Sequence, residues 1–555
     1  MNAYLVRTAC WLCIAIPAAV AQPSLNPVNP VVNAASYMPA GMPSSAIAQG
    51  SIFAVFGTGL GPAAWTTPPA GVFPLPTTLA EVTVNVTVGG ATASAILLGL
   101  NQYQINAILP STTPTGKGSL TVTYNNAVSA AVPVQVTAAA FGIFTFGSSG
   151  VGQAIATDPK YKINTIIHTF HPGDVGIIWG TGLGPITASD AGLPPVGNLP
   201  GDIQVYVGNS TAQVGYHGRS GCCAGLDQIT FTVPAGVEGC YVPLSVTTSG
   251  GSSNFTTIAV SASGQTCSDS ILGSDLIGKL AAGHSVNFGY IRLEDGFLKF
   301  AQTSTIASIE DLATATFSEF TPGTAGMAEY GVSSGYCIAV PCPGGLCAVN
   351  GFASLEDMSP AQLDAGPSLN VSFGNNIPMP QVTSGYGLYE ALLDANQRFL
   401  YAEEPYTVTG TGGTVVGAFS VTDHSGDIAA AFTNLGPLQA LPRGSDLTLN
   451  WSGAETGESG GTVIVGGYSA ADTTYNSLSY FQCTGSGASG QITIPARVLS
   501  LLPATGTGQN SAIGAYPLGW IWVGQYNNPT TFAATGLDLG IITDAFWQGY
   551  GVYFQ

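Results

Sequence analysis

The sequence contains two copies of one glycine-rich stretch. Residues 50–62 read GSIFAVFGTGLGP and residues 173–185 read GDVGIIWGTGLGP, with seven of thirteen positions identical. Downstream, QINAILP at 104–110 is matched by QITFTVP at 228–234, so the order of elements is kept over a spacing of roughly 120 residues. A repeat of this length predicts one structural module present twice, and any fold for this chain must contain that module in tandem.

Each copy alternates β-branched and polar residues in short runs. Examples are EVTVNVTV at 81–88 and DIQVYV at 202–207, and turn residues separate such runs at intervals of about ten. This pattern is typical of a small sandwich whose strands bury one face. We therefore predict immunoglobulin-like sandwiches over residues 22–141 and 142–264.

The repeated glycine loop raises the question of phosphate binding. A nucleotide-binding loop must open a helix, but Pro62 and Pro185 follow the loops at once and no lysine stands at the phosphate-binding position. The sequence therefore predicts structural turns, in which glycines give the backbone access to positive φ. The glycines concerned are Gly57, Gly59, Gly61, Gly180, Gly182 and Gly184.

Motifs around these turns carry a family resemblance. The pair of sandwiches resembles the immunoglobulin-like TIG domain. Together with VVNAASYMPAG at 31–41, GIF at 142–144 and SNFTTIAV at 253–260, residues 28–265 resemble the uncharacterised module named for Solibacter, which is common in exported acidobacterial proteins. SGCCAGLDQITFTVP and GCYVPLSV match a cysteine-bearing variant of that module. The resemblance implies an exported tandem β module of unknown biochemical role, with no catalytic residues attached.

The amino terminus predicts export. Residues 1–7 carry one positive charge, residues 9–20 are a short apolar run, and Ala19-Val20-Ala21 supplies a small-x-small cleavage site. We predict a signal peptide over residues 1–21. Because no later apolar run approaches the length of a membrane span, we expect a mature chain without a transmembrane segment, secreted or held at the cell surface.

Composition excludes nucleic acid as a partner. The formal net charge is −19 with 11 basic residues scattered through 555 positions, whereas phosphate binding requires clustered Lys and Arg. Charged residues make up 7% of the chain, but hydrophobic residues make up 45% and fall in short alternating runs, which favours a packed all-β protein over disorder.

Eight cysteines remain beyond the predicted signal peptide. An even number in an exported chain favours disulfides, and the absence of CxxC pairs and matching histidines argues against zinc. The connectivity stays open, although position in the chain suggests one group of four and then another. The candidates are Cys222, Cys223, Cys240, Cys267, Cys337, Cys342, Cys347 and Cys483.

The second half lacks the repeat. Residues 265–275 are interpreted as a linker, and strand-like runs continue on both sides of a boundary placed near residue 425. PARVLSLLP at 495–503 is the best candidate for a short helix, with proline in its first turn. The predicted fold class is all-β: tandem immunoglobulin-like sandwiches followed by two further β-rich sandwich domains over 265–425 and 426–555.

No catalytic motif is found. His168 and His171 precede Pro172 in a loop and have no carboxylate cluster around them in the sequence, which favours a solvated or capping role over metal binding. The acid pairs at 310–311 and 403–404 are adjacent, so in a strand their side chains point to opposite faces. We therefore predict a non-enzyme with no catalytic residue, metal site or cofactor.

Tryptophan placement is the one functional hint. Trp520 and Trp522 are two residues apart and would share one face of a strand. An exposed face could stack on sugar rings, whereas a buried one would fill a sandwich core. The core interpretation is favoured, and glycan stacking is kept as the speculative alternative.

Three function classes remain. The first is an exported, non-enzymatic modular protein that serves in adhesion or binds polysaccharide or a surface or matrix protein. The second is a carbohydrate-active enzyme with catalysis in residues 265–555 and the repeats as spacers. The third is a structural spacer without a ligand.

Overall fold

The fold is all-β, as predicted. The structure, a computed structural model, describes residues 22–269, 273–299, 308–323, 332–342, 361–373, 375–382, 387–393, 405–424, 430–454, 462–510 and 514–555, the side chains of residues 308–311 excepted. The predicted signal peptide lies outside these residues. No helix in the described part of the chain has the length and apolar character needed to cross a membrane.

The first copy of the repeat is a two-sheet sandwich. One sheet has the order β1-β4-β8-β7 with β2 beside β4, and the other has the order β3-β11-β9-β5-β6 with β10 beside β9. The strict alternation of β5 places Val82, Val84, Val86 and Val88 in the core between the sheets. The strands are β1 (Ser24–Leu25), β2 (Val31–Asn33), β3 (Ile47–Ala48), β4 (Ile52–Thr58), β5 (Val82–Val88), β6 (Ala91–Ser94), β7 (Ile96–Leu100), β8 (Gln104–Ile108), β9 (Gly116–Tyr124), β10 (Ala127–Val128) and β11 (Val132–Thr137).

The second copy forms a similar sandwich, but its strands are hydrogen-bonded into one continuous nine-stranded sheet. Its strands are β12 (Gly142–Ile143), β13 (Ala156–Thr157), β14 (Val175–Thr181), β15 (Gln204–Val207), β16 (Ser210–Arg219), β17 (Asp227–Thr232), β18 (Gly239–Thr248), β19 (Gly251–Ser252) and β20 (Thr256–Val260). The long β16 pairs with β15 at one end and β17 at the other, with a register shift between Val214 and Tyr216. In the first copy the corresponding stretch is divided into β6 and β7.

Equivalent hydrogen bonds recur in the two copies. Gly50 N donates to Leu109 O at 2.7 Å, and Gly173 N donates to Val233 O at 2.9 Å. Likewise the hydroxyl of Ser129 accepts from Val122 N at 3.0 Å, and that of Ser253 accepts from Val246 N at 2.9 Å. The shared pattern supports the predicted tandem of β-sandwiches.

The second half is built on one eleven-stranded sheet, which we call the long sheet. Its order is β23-β34-β33-β38-β40-β21-β22-β24, with β27 beside β22 and with β31 and β39 beside β40. The strands of this half are β21 (Val286–Lys299), β22 (Ser308–Phe320), β23 (Cys337–Pro341), β24 (Ala361–Gln362), β25 (Ser368–Phe373), β26 (Asn375–Pro380), β27 (Leu388–Leu392), β28 (Pro405–Gly410), β29 (Phe419–His424), β30 (Ala431–Phe432), β31 (Ala440–Leu441), β32 (Leu447–Ser452), β33 (Thr462–Ala470), β34 (Leu478–Ser486), β35 (Gln491–Ile494), β36 (Thr507–Asn510), β37 (Gly514–Pro517), β38 (Gly519–Tyr526), β39 (Thr530–Phe532) and β40 (Leu539–Phe554).

Two cores lie on the same side of the long sheet. The sheet β26-β25-β28-β29 covers one core and the sheet β30-β32-β35 covers the other. The strand β40 supplies Ile542 to the first core and Val552 and Phe554 to the second. This differs from the predicted division at residue 425, because β40 pairs in parallel with β21 and the two regions share one sheet.

Among the described residues, two short α-helices and a 3-10 helix (Gly487–Ser489) accompany the strands. The predicted helix at 495–503 is present as α2 (Ala496–Leu499), with Pro495 immediately before it. The helix α1 (Gly273–Ala281) begins inside the predicted linker 265–275 and buries Leu276, Ile277 and Leu280 against Phe288. That segment is therefore packed rather than extended between domains.

Disulfides tie the chain at several points. Cys240 pairs with Cys267 and Cys337 with Cys483, and the adjacent Cys222 and Cys223 pair with each other. Cys342 is disulfide-bonded, and Cys347 lies outside the described residues. The Cys337–Cys483 bond joins β23 to β34 and is a second link across residue 425.

Candidate functional site

The alternation of β38 decides where the paired tryptophans lie. Ile521 and Val523 are fully buried in the core under the long sheet, so Trp520 and Trp522 lie on the opposite face, which we call the outer face. Both indoles are half-buried. The preference for a core position was therefore wrong, because Trp520 and Trp522 alternate with the apolar Ile521 and Val523 and the sequence does not show which pair faces inward.

Neighbouring strands add rings to the same face. Tyr468 on β33 is directly opposite Tyr480 on β34 and Trp520 on β38, and Trp547 on β40 completes the set. All five rings are half-buried. We call Tyr468, Tyr480, Trp520, Trp522 and Trp547 the aromatic strip.

The rings of the aromatic strip are close enough to act together. Ring centroids are 5.2 Å apart for Tyr468 and Trp520, 5.7 Å for Tyr480 and Trp522, and 6.1 Å for Trp522 and Trp547. These separations lie within the range at which aromatic rings attract one another. The strip is thus a connected aromatic surface that crosses four adjacent strands.

Glycines on the long sheet seat the indoles. A Cβ atom at Gly466 would lie 2.6 Å from Cε2 of Trp522, and a Cβ at Gly296 would overlap the fused ring atoms of Trp547. Each indole therefore lies across bare backbone, with one ring face against the sheet and the other turned away from it. Glycine weakens a strand interior and often marks close approach of another group, which is its role here.

A polar group borders the strip beyond Trp547. The Nε atom of Arg292 is 3.3 Å from Oε1 of Glu294, and the hydroxyl of Tyr526 donates to the same oxygen at 2.7 Å. Arg292 Nη1 also donates to the Tyr526 hydroxyl at 3.4 Å. The group carries one positive and one negative charge and offers both donors and acceptors.

Burial and neighbouring charge shift the ionisation of this group. Burial disfavours the charged guanidinium, but Glu294 and the neighbouring tyrosines together outweigh that effect, so the pKa of Arg292 is raised. Burial raises the pKa of Tyr290, the next outer-face residue on β21, to about 12, and it holds the pKa of Tyr526 well above its usual value. Arg292 is therefore charged, and both tyrosine hydroxyls stay protonated, at every physiological pH.

The repeated glycine turns play a different part. Gly59, Gly182 and Gly184 have positive φ, of 66°, 105° and 137°. The prediction of positive φ does not hold at the other three positions, Gly57, Gly61 and Gly180, where close neighbours leave no room for a side chain.

In the second glycine turn, backbone amides already bind a carboxylate of the protein. Gly182 N and Leu183 N donate to Oδ2 of Asp227 at 2.7 and 2.8 Å, and Asp227 is paired with Arg219. Both charged side chains are buried. The amides that could receive a phosphate are thus occupied by a carboxylate of the protein.

The two histidines take capping roles. His171 Nδ1 lies 3.0 Å from Oδ2 of Asp174 and Nε2 lies 2.6 Å from Gly264 O, while His168 lies 3.6 Å from Asp158. Among the described residues, no group of three or more His, Cys, Asp or Glu side chains is placed to hold a metal ion. The acid pair at 403–404 falls outside the described residues, as do the side chains of 310–311.

Sequence reasoning missed three rings of the strip and its glycine seats. Tyr468, Tyr480 and Trp547 come from three strands separated along the chain, so no local pattern joins them. The available signal was the alternation of glycine with aromatic residues, as in GGY at 466–468 and WQGYG at 547–551.

Comparison with known proteins yields distant structural neighbours. No protein-family model and no curated protein matches the chain. Chicken CNTN1 FN1–FN3 domains are 9% identical over 70% of this chain and 96% of theirs, with a TM-score of 0.14. Domains 5–6 of the S-layer protein SbsC are 13% identical over 43% and 98%, with a TM-score of 0.16, and Sidekick-1 immunoglobulin domains 1–4 are 10% identical over 92% and 96%, with a TM-score of 0.12. TM-scores this low assign no function to the chain.

Proposed function

We propose that this chain is an exported, non-enzymatic, modular β-sandwich protein that binds polysaccharide outside the cell through the aromatic strip. The observation that carries the proposal is the set of indoles lying on glycine seats of the long sheet. A core tryptophan packs on all sides, whereas Trp522 and Trp547 stay half-buried with one ring face supported by backbone.

The chemistry of sugars suits such a surface. A pyranose ring has an apolar face of C–H groups and a rim of hydroxyls, and the apolar face stacks on aromatic rings. Arg292, Glu294 and Tyr526 lie at the border of the strip and can exchange hydrogen bonds with the hydroxyl rim. The aromatic strip and its polar border thus offer both kinds of contact that a sugar makes.

The rest of the molecule fits a role outside the cell. Disulfides persist in oxidising compartments, and this chain contains them in both halves. The predicted signal peptide and the resemblance of residues 28–265 to an exported module point to the same compartment.

The test is glycan binding by the mature chain, residues 22–555. We expect retention on at least one polysaccharide in a glycan array and pull-down panel, and a loss of affinity of about tenfold or more in Trp522→Ala. Trp65→Ala is the matched control, because Trp65 is 48% exposed and lies on the first sandwich. Near-ultraviolet circular dichroism checks that both variants are folded.

The proposal fails if no glycan is retained, or if Trp65→Ala loses as much affinity as Trp522→Ala. Release of reducing sugar by the wild-type chain, abolished by one carboxylate substitution, would instead establish the enzyme hypothesis. Full binding in Trp522→Ala would place the ligand elsewhere on the molecule.

A further inference from the structure

We infer that the aromatic strip takes a single neutral glycan chain with a helical twist, rather than a polyanionic glycan or the flat surface of a crystalline one. This inference rests on the proposed polysaccharide-binding function and narrows its ligand. Three observations carry it: the path of the rings across the sheet, the angles between them, and the balance of charge beside them.

The path of the strip is diagonal to the strands. Trp547 on β40, Trp522 on β38 and Tyr480 on β34 follow one another with centroid spacings of 6.1 and 5.7 Å. Trp522 is directly opposite Gly549 on β40 and Gly466 on β33, so no side chain stands between successive rings. The 6.1 Å spacing of Trp522 and Trp547 is close to the length of one sugar residue, so two successive sugars of one chain can each meet an indole.

The rings are not coplanar. The planes of Trp522 and Trp547 are inclined at 49°, and those of Tyr480 and Trp522 at 33°. A flat crystalline surface can stack only on coplanar rings, because a rigid plane cannot follow a turn from one ring to the next. A free chain whose sugars rotate from one to the next can follow it.

The charges beside the strip are balanced. Arg292 is paired with Glu294 at 3.3 Å, and both side chains are partly buried, so the pair presents no net charge to a ligand. A glycan with a carboxylate on each sugar would lie beside Glu294 and approach a chain of formal net charge −19. Neutral hydroxyls meet no such repulsion and can use both members of the pair.

The test compares ligand classes on the folded mature chain. The soluble neutral probes are a β-1,3-glucan, an amylose and a xylan, and the contrasting probes are polygalacturonate and crystalline cellulose. We expect retention of one or more soluble neutral glycans, about tenfold or more above the contrasting probes, and a dependence on Trp522 and Trp547. Affinity for the neutral glycan is expected to change less than about twofold between low and high salt, because no charge pairing is involved.

The outcomes separate this inference from the function on which it rests. Binding of polygalacturonate or crystalline cellulose that matches or exceeds neutral binding, and is lost in Trp522→Ala, overturns the ligand class and leaves polysaccharide binding standing. A strong fall in neutral binding with salt also overturns it. Absence of binding to every probe and to the glycan array removes both.

Discussion

The two copies of the repeat share the same glycine turn, but different groups accept hydrogen bonds from its backbone amides. In the first copy the turn is closed by backbone alone, since Leu60 N donates to Gln102 O at 3.0 Å. In the second copy the equivalent Leu183 N donates to the buried carboxylate of Asp227, which in turn requires Arg219. The turn geometry is therefore set by glycine and strand position, while the partner of its amides is free to change.

A second charged group replaces a neutral one just before β4 of the first copy and the equivalent β14 of the second. The hydroxyl of Ser51 accepts from Ala48 N at 3.2 Å in the first copy. In the second copy the carboxylate of Asp174 accepts from His171 N at 2.8 Å. The second copy thus depends on ionised groups where the first does not.

The buried ion pair of the second copy also reaches the first. Arg219 Nη2 donates to Gly184 O at 2.7 Å and to Gly50 O at 3.3 Å. Asp190, 3.9 Å from Arg219, accepts from Ser111 N at 2.6 Å. Charge in the second copy therefore also holds the joint between the sandwiches.

The largest expected effect comes from removing the guanidinium. Arg219→Met leaves the Asp227 carboxyl buried without its ion-pair partner, and we expect a loss of about 3–5 kcal/mol in the free energy of unfolding. Hydrogen exchange read by mass spectrometry should show the larger loss in β14 and β17, and a smaller loss in β4 and β8, which Arg219 reaches through Gly50 O. Lys162→Met, an exposed change of the same charge in the same copy, is the control, and equal loss of protection in both copies would contradict the comparison.

A second test places the same substitution in both turns. A Cβ at Gly182 would overlap Ala140 O, whereas a Cβ at Gly59 would meet nothing within 4 Å. We expect Gly182→Ala to lose about 2–4 kcal/mol from strain and overlap, and Gly59→Ala about 1 kcal/mol from its positive φ. Thermal unfolding of the two variants measures the difference, and equal losses would show that the turns are interchangeable.

The smallest expected effect is a pH dependence confined to the second copy. Hydrogen bonding to Asp174 and to Gly264 O raises the pKa of His171. A raised pKa in the folded state means that the stabilisation is complete below the ordinary histidine pKa and is lost as pH rises through the higher folded value. Because the pair is partly exposed, we expect no more than about 1 kcal/mol.

Proton NMR titration of His171, with hydrogen exchange of β14 followed over the same pH range, measures this effect. In His171→Gln the pH dependence of β14 protection should disappear, while the protection of β4 should not depend on this histidine in either protein. A lowered pKa for His171 would reverse the sign and contradict the assignment.

Local patterns predicted more of the first half than of the second. The duplicated glycine stretch and the alternation of β5 are written within about 120 residues, so they predict the tandem sandwiches directly. The parallel pairing of β21 with β40 joins residues roughly 250 positions apart. No local sequence pattern reveals such a pairing, so the sequence could not show that one sheet crosses the predicted boundary near residue 425.

The candidate site was predictable in part. The spacing of Trp520 and Trp522 indicated a shared face, which the structure has. Which face it is depends on the packing partners of Ile521 and Val523, and those come from β32 and β35, far away in sequence. The glycine seats were invisible for the same reason, because Gly296 and Trp547 meet only when β21 and β40 pair.

The parallel alignment of β21 with β40 also governs how tension passes through the molecule. Val286 begins β21 and Phe554 ends β40, and the two strands are parallel. A force that pulls the sandwiches away from the carboxyl end of β40 therefore pulls the two strands along each other in opposite directions. Every rung from Phe288 to Lys299 is then loaded in shear at the same moment, instead of being peeled open one after another. The pairing of β21 with β40 therefore resists such a pull with all twelve residue pairs at once.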